Sequence, residues 1–385
     1  LTSRRTPREL DRAALSEYFS LGYVPAPDTI FMGVRKLPPA HILVYERDRN
    51  RPQTGPRCYW SPSYHPDQAM TFADAAHRTR ELIDAAVQKR LESEVPLGAF
   101  LSGGLDSSVV VGVMQRMLDE PVRTFCIGFE SGAYDERAYA QLAADRFGTE
   151  HRVKVAEPRD ICLLRKLVRH YGEPFADSSM LPTALLSEFT AQHVTVALSG
   201  DGGDEVFGGY LRYQVMALQR YVEAVPVGLR RSVCDLILGA LPQALERHSG
   251  VYTLRRLLRV WRDSGTGSYR TFQEVLPEAT RNELLGFDAG CPLQKGGTPQ
   301  SWDEILTKGS ARDFTERFLE LDLHTYLPSD ILYKVDIATM AYSLEVRSPF
   351  LDHSLVEFAA AVPRRFKVTL TDRKHLLKAA AGDLL

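Results

Sequence analysis

The stretch Ser102-Gly103-Gly104-Leu105-Asp106-Ser107-Ser108 follows an apolar run, Val95 to Leu101, and opens a segment carrying Val109, Val110, Val113 and Met117. The run reads as a buried strand and the segment as a helix with one apolar face. Glycines at such a junction permit torsions and close approaches that a side chain would block. A helix amino terminus presents free N–H groups with partial positive charge, a natural seat for phosphate. Ser102, Ser107 and Ser108 add hydroxyls, whereas Asp106 is out of place in a pure anion cradle unless Mg2+ bridges it to the phosphates. The pattern is neither the lysine-bearing phosphate loop nor the three-glycine dinucleotide turn. The competing reading is a simple strand-to-helix turn in which Asp106 caps the helix.

A second loop, Ser199-Gly200-Asp201-Gly202-Gly203-Asp204-Glu205-Val206-Phe207-Gly208-Gly209-Tyr210, follows another apolar run, Val194 to Leu198. Its acids repel phosphate unless a cation lies between, so Asp106 and Asp204 together suit Mg2+ beside a nucleoside triphosphate. The competing reading is a Gly/Asp turn with its acids in water. Working outward, Val122 to Phe129 and His151 to Val155 read as two more strands. Helices are expected from Asp67 onward (Phe72, Ala75, Ala76, Leu82, Ile83, Ala86, Val87), over Asp135 to Phe147, Arg159 to Tyr171 and Pro182 to Gln192. Apolar strands alternating with helices predict an α/β fold, a parallel twisted sheet flanked by helices. Ligands of such sheets bind beyond the carboxyl ends of the strands, where both glycine turns lie. From about Tyr210 the strand signal vanishes, and helical periodicity (Phe314, Phe318, Leu321, Leu323) predicts a helical C-terminal half. Residues 1 to about 65 are rich in Pro, Arg and aromatics, with short β-like runs such as His41 to Tyr45.

Composition narrows the class. The 385 residues carry 47 Lys+Arg against 49 Asp+Glu, a net charge of −2, which argues against a nucleic-acid-binding protein. With 44% hydrophobic and 25% charged residues the chain is globular, and its length suggests roughly two domains or one large α/β domain with an appendage. No apolar run reaches membrane-spanning length, and Leu1-Thr2-Ser3-Arg4-Arg5 has no apolar signal core behind its arginines. Cys58, Cys126, Cys162, Cys234 and Cys291 fit neither a disulfide framework nor a zinc knuckle; reduced thiols and a cytoplasmic location are expected. Both ends look cut, with no initiator Met and a chain that stops at Leu385 inside what reads as a helix.

The two loops together resemble the synthetase domain of the asparagine synthase family, within the PP-loop ATP pyrophosphatase superfamily (an adenine nucleotide alpha-hydrolase-like fold). Other segments agree: Thr124 to Phe129, Asp135-Glu136, Gly148 to His151, Glu173-Pro174-Phe175-Ala176-Asp177-Ser178-Ser179, and Glu345-Val346-Arg347-Ser348-Pro349-Phe350-Leu351-Asp352-His353. Gly22 to Phe31 and Lys36 to His41 look like the segment where the family's glutaminase domain ends, so residues 1–65 are expected to close such a domain and 66–385 to form the ATP-dependent, amide-forming one. The glutaminase's N-terminal Cys nucleophile is absent from this chain.

The resemblance implies ATP with its adenine near Leu101, Ile127 and Gly128 and its phosphates on Ser102, Gly103, Gly104, Ser107 and Ser108, with Ser199 and Gly200 alongside. It implies Mg2+ held through Asp106 and Asp204, and a family lysine matched by Lys374 near the α-phosphate. Asp201 is expected to order the ammonia or the intermediate. The reaction implied is aspartate, ATP and glutamine-derived ammonia giving asparagine, AMP and pyrophosphate through β-aspartyl-AMP. Asp177, Ser178 and Ser179 read either as a helix cap or as site residues. In Lys334-Val335-Asp336-Ile337-Ala338-Thr339-Met340-Ala341 the family has an arginine where Ile337 stands, a departure that points to a changed acyl substrate or a lost structural ion pair. Asp336, Glu345 and Arg347 are expected to be buried ion partners. β-Lactam synthetases, lasso-peptide cyclases and amidotransferases of surface-polysaccharide or sorting systems share the chemistry with other carboxylates. A dead nucleotide-binding scaffold is the reading from a different class, and the paired acids beside a phosphate cradle argue against it. Partners are small molecules; homodimers are common in the family, although no residue here derives one.

Overall fold

The computed structural model describes residues 8–46, 51–52, 55–130, 135–242, 250–263, 265–286 and 300–385. Five strands, β1 (Leu97–Phe100), β2 (Arg123–Gly128), β3 (Glu150–Val155), β4 (Val196–Leu198) and β5 (Glu345–Arg347), form one sheet in the order β3-β2-β1-β4-β5. Every neighbouring pair is parallel. The chain builds outward from β1 through β2 to β3, then crosses back to lay β4 on the other side of β1. The order therefore reverses between β1 and β4, which opens a crevice at their carboxyl ends.

Helices cover both faces, as a parallel sheet requires. They include α1 (Phe72–Leu91), α2 (Leu105–Met117), α3 (Arg137–Phe147) and α4 (Met180–Thr190). On one face Ile83 and Val87 of α1 pack with Val109, Val110, Val113 and Met114 of α2 and with Ala99 and Leu198 of the sheet, all buried. On the other, Phe125, Val194, Ala197 and Leu344 are buried together, with Leu186 and Phe189 of α4 against them. The strands lie within one or two residues of the sequence expectation. Arg159 to Tyr171 is instead a 3-10 turn, Pro158–Leu163, running into a helix, Leu164–Tyr171.

Beyond α5 (Gly203–Phe207) the described residues are mainly helical, with α6 (Leu332–Met340) and α7 (His375–Ala380) returning to the crevice. The exception is β5, which the sequence reading missed. Its three residues carry charges at both ends and show no apolar alternation, so only pairing along β4 identifies them as an edge strand. The closing helix ends at Ala380 rather than running to Leu385. A buried cluster of Tyr269, Trp302, Phe318 and Leu321 centres the helical half, and Leu21 and Tyr23 from the first residues join it. The β-like run at 41–45 splits into His41–Ile42 and Tyr45–Glu46, each in its own two-stranded antiparallel pair. Cys58, Cys126, Cys162 and Cys234 form no disulfide, whereas Cys291 and residues 1–5 lie outside the described residues. No described helix is long and apolar enough to cross a membrane.

Candidate active site

The crevice holds a cavity of about 510 Å³ walled by both glycine loops, β2, α4, α6 and Lys374. One end is apolar, formed by Phe100, Leu101, Phe125, Ile127 and Leu186; the other carries Asp106, Asp201, Asp204, Glu205, Lys334 and Lys374. Of the residues expected here, Leu101, Ser102, Gly104, Asp106, Ser107, Ile127, Ser199, Gly200, Asp201, Asp204 and Lys374 line this cavity.

Three others do not. Gly103 takes a left-handed φ of +76°, and a Cβ there would fall 2.3 Å from the Tyr139 carbonyl carbon, so this glycine shapes the loop against α3. Ser108 is buried in the first turn of α2. Gly128 abuts the Arg137 side chain, which Asp135 holds through a 2.8 Å bond to its Nε.

The helix-cap reading of Asp106 is corrected. The N-cap of α2 is Gly104, without a side-chain cap, and the loop is braced by its serines: Gly104 N–H donates to Ser102 Oγ and Ser107 Oγ donates to the Gly104 carbonyl, each at 3.2 Å. The Asp106 carboxylate turns into the crevice instead. Its Oδ2 meets Lys374 Nζ at 2.5 Å, and the same ammonium meets Asp204 Oδ1 at 2.7 Å. Asp106 Oδ1 is buried and has no hydrogen-bond partner among the described residues. Gly203 makes this convergence possible, because a Cβ there would fall 2.6 Å from Asp106 Cγ. Lys374 is not a solvent-facing helical lysine. It precedes α7 as its N-cap, with φ +55° and a side chain 13% exposed. That torsion costs an L residue about 1–2 kcal/mol, and it turns the side chain's root toward the loops.

Burial shifts the charges of this cluster. It pushes the Asp106 carboxyl up to about 6, against the pull of Lys374 and with help from Asp204. It also raises Asp201. Glu205 is pushed up to about 7 by burial, although it accepts a 2.7 Å hydrogen bond from Tyr210 that favours the ionised form. Burial opposes the Lys374 charge, but Asp106 and Asp204 outweigh it and hold the ammonium protonated. Among the described residues no group of three or more acids, His or Cys forms a protein-only metal cage. Two converging acids with one orphaned oxygen instead match the way Mg2+ binds, through one or two carboxylates plus phosphates and water.

The second lysine, Lys334, went unremarked in the sequence although it lies in a quoted run. Ile331, Lys334 and Val335 share one face of the turn into α6 and line the cavity. Ile337, where the family arginine is missing, packs instead against the apolar cluster of the helical half. A buried lysine amid apolar helical neighbours was the signal available. Lys334 Nζ meets Asp177 Oδ2 at 2.7 Å, and Asp177 Oδ1 accepts from the Ser179 N–H and hydroxyl, so Asp177 combines a turn at the start of α4 with an ionic link to the cavity. Asp336 is exposed, and the Glu345–Arg347 pair sits at the surface with Glu345 57% exposed, so none of these is a buried ion partner. Single-residue burial of that kind cannot be read from charge spacing alone.

The family model for asparagine synthase matches residues 78–385. Asparagine synthetase [glutamine-hydrolyzing] 1 of Bacillus subtilis is 31% identical over 384 residues, which cover 98% of this chain and 57% of the relative. Putative asparagine synthetase [glutamine-hydrolyzing] 2 of Methanocaldococcus jannaschii is 35% identical over 346 residues, 88% of this chain and 63% of the relative. A more distant relative, Amidase chry2 of Gibberella zeae, is 25% identical over 402 residues, covering 91% of this chain and 56% of its own. The chain thus spans somewhat over half the length of these relatives. With the matched residues running through both glycine loops, β5 and Lys374, this chain belongs to the asparagine synthase family.

Proposed function

We propose that this chain forms an amide from a carboxylate and ammonia at the expense of ATP, with L-aspartate as the acyl substrate and asparagine as the product. The observation that carries the reading is the convergence of Asp106, Asp204 and Lys374 where two glycine loops meet over one cavity. In this reading residues 66–385 are the amide-forming domain and 1–65 the end of a glutaminase-type domain that supplies ammonia. The relatives' printed names, which include glutamine hydrolysis, support that arrangement.

The apolar end, with Leu101 and Ile127, takes the adenine, and the free N–H groups at the start of α2 with the Ser102 and Ser107 hydroxyls take the phosphates. Asp106 and Asp204 would hold Mg2+, which when bound neutralises phosphate charge. A carboxylate oxygen of the substrate attacks the α-phosphorus, and the bond from that phosphorus to the bridging oxygen breaks to release pyrophosphate. Lys374 offsets the negative charge that builds on the α-phosphoryl oxygens during this displacement. Ammonia then attacks the acyl carbon, the C–O bond to AMP breaks with its electron pair leaving on phosphate, and the nitrogen loses a proton. Glu205, poised near neutrality, accepts that proton, and Asp201 orients the incoming amine.

The test is to mix the chain with Mg-ATP, ammonium chloride and L-aspartate and follow AMP, pyrophosphate and asparagine by mass spectrometry. All three products in equal amounts support the reading, and ATP binding without aspartate-dependent AMP refutes the aspartate assignment. The relative named an amidase favours one second reading, the same ATP chemistry on another carboxylate, which a panel of acids in this assay would reveal.

A further inference from the structure

The second glycine loop ends in Gly208-Gly209, a pair that the phosphate and metal assignments leave unused. Gly208 takes a left-handed φ of +71° as it closes α5, and a Cβ on it would collide with the Val368 side chain. A Cβ on Gly209 would collide with both Asp204 Oδ1 and Lys374 Cε. The chain from Val368 to Lys374 therefore lies directly across these two glycines. That segment is fastened at both ends. Gln214, buried on the helix Leu211–Val222, donates from its Nε2 to the Thr369 and Leu370 carbonyls, each at 3.2 Å, which uses both amide hydrogens. Arg373 Nη1 donates to the Gly209 carbonyl at 3.1 Å. Between these ties the turn closes on itself: the Thr369 N–H donates to the Asp372 carbonyl at 2.9 Å, and the Asp372 N–H donates to Thr369 Oγ1 at 2.8 Å. The next position but one is Lys374, in a left-handed torsion that a lysine does not keep unaided.

We propose that Gln214 and Arg373 are positioning residues for Lys374: they clasp the 368–374 segment onto Gly208-Gly209 and so fix where the lysine enters the site. This rests on the proposed adenylation and names what sets its cation in place. The carboxylates of Asp106 and Asp204 now hold the ammonium. In the proposed reaction those two groups are turned to Mg2+, so the placement of Lys374 falls to its backbone. Neither Gln214 nor Arg373 lines the cavity, so both act on the phosphoryl group only through the lysine. The glycine pair supplies the flat floor that the clasp needs, which gives these two residues of the motif a role apart from phosphate binding.

The test uses Arg373→Ala, whose exposed position keeps the fold out of question, and Gln214→Glu, which keeps the size but turns an acceptor on the two carbonyls. Hydrogen exchange over residues 368–375, read by mass spectrometry on the chain without ligands, should be about fivefold faster in either variant and unchanged over β2. With Mg-ATP, ammonium chloride and L-aspartate, each variant should lower kcat for AMP formation about tenfold and leave KM for ATP within about twofold. Arg373→Lys keeps a charged donor and should recover part of the loss. On a Lys374→Met background Arg373→Ala should cost less than about twofold more, because the residue it positions is gone. A tenfold loss that persists on that background, as a merely structural role or a direct action of the Arg373 charge would give, overturns the assignment and leaves the proposed function standing. Unchanged exchange over 368–375 does the same. If the unaltered chain forms no AMP with aspartate, the aspartate reading falls, and the exchange measurement still decides the clasp.

Discussion

Replacing Gly203 by alanine isolates the geometry on which the site reading rests. The added Cβ would lie 2.6 Å from Asp106 Cγ and 2.8 and 2.9 Å from its two oxygens, all inside the 3.4 Å at which ordinary contact begins. Relief requires about 0.8 Å of movement between the two loops. Because Lys374 bridges Asp106 and Asp204 at 2.5 and 2.7 Å, that movement breaks the bridge. A displacement near 1 Å in a positioned site costs on the order of 100-fold in rate, or about 2.7 kcal/mol of transition-state stabilisation. Helix propensity pulls the other way, since alanine in α5 gains up to about 1 kcal/mol over glycine. The two effects separate by assay: aspartate-dependent AMP formation should fall about 100-fold while the urea midpoint moves little. Gly228→Ala is the control, because its Cβ meets nothing within 4 Å, and it should leave the rate unchanged. A Gly203→Ala chain that turns over within threefold of the original would falsify the claim that loop contact sets the Asp106–Asp204–Lys374 geometry.

Other consequences can be measured alongside it. Lys374→Met should lower AMP formation by about 10²–10³, the effect of losing one preorganised charge at a reacting phosphoryl group, whereas a loss below tenfold would remove it from the chemistry. The amide-forming rate should rise with pH through about 7 as Glu205 ionises; Tyr210→Phe removes the hydrogen bond that favours that ionisation and should move the limb to higher pH, and Glu205→Gln should abolish it. Glu205 also contributes to folding with the opposite pH dependence. Its folded value of about 7 lies above the unfolded value near 4.3, so its contribution is fully present below pH ~4.3 and is lost as pH rises through 7, which urea melts across that range would detect. Asp322 is fully buried and accepts from Arg212 Nε at 2.9 Å, Tyr213 at 2.6 Å, Tyr269 at 2.5 Å and Gln273 at 3.0 Å. Asp322→Ala strands the Arg212 charge in the core and should cost about 3–5 kcal/mol in denaturant unfolding; a loss under 1 kcal/mol would contradict the network's role.

The sequence made one end of this cavity legible and hid the other, for a physical reason. Phosphate binding needs backbone approach, and backbone approach needs glycines at fixed spacing after a strand, a constraint local enough to be read in seven consecutive residues. The three central strands, β2, β1 and β4, were equally legible, because a strand buried on both faces must be an apolar run between turns. Nothing local marks β5, which is charged at both ends and exists only as the partner of β4. The Lys334 side of the cavity depends on such non-local facts throughout. Asp177 and Lys334 are 157 positions apart, and α6 could expose either Lys334 or Ile337 until its packing against the helical cluster decides. A missing arginine at Ile337 reads in one dimension as a changed acyl substrate or a lost ion pair, yet the cavity faces Lys334 one turn away.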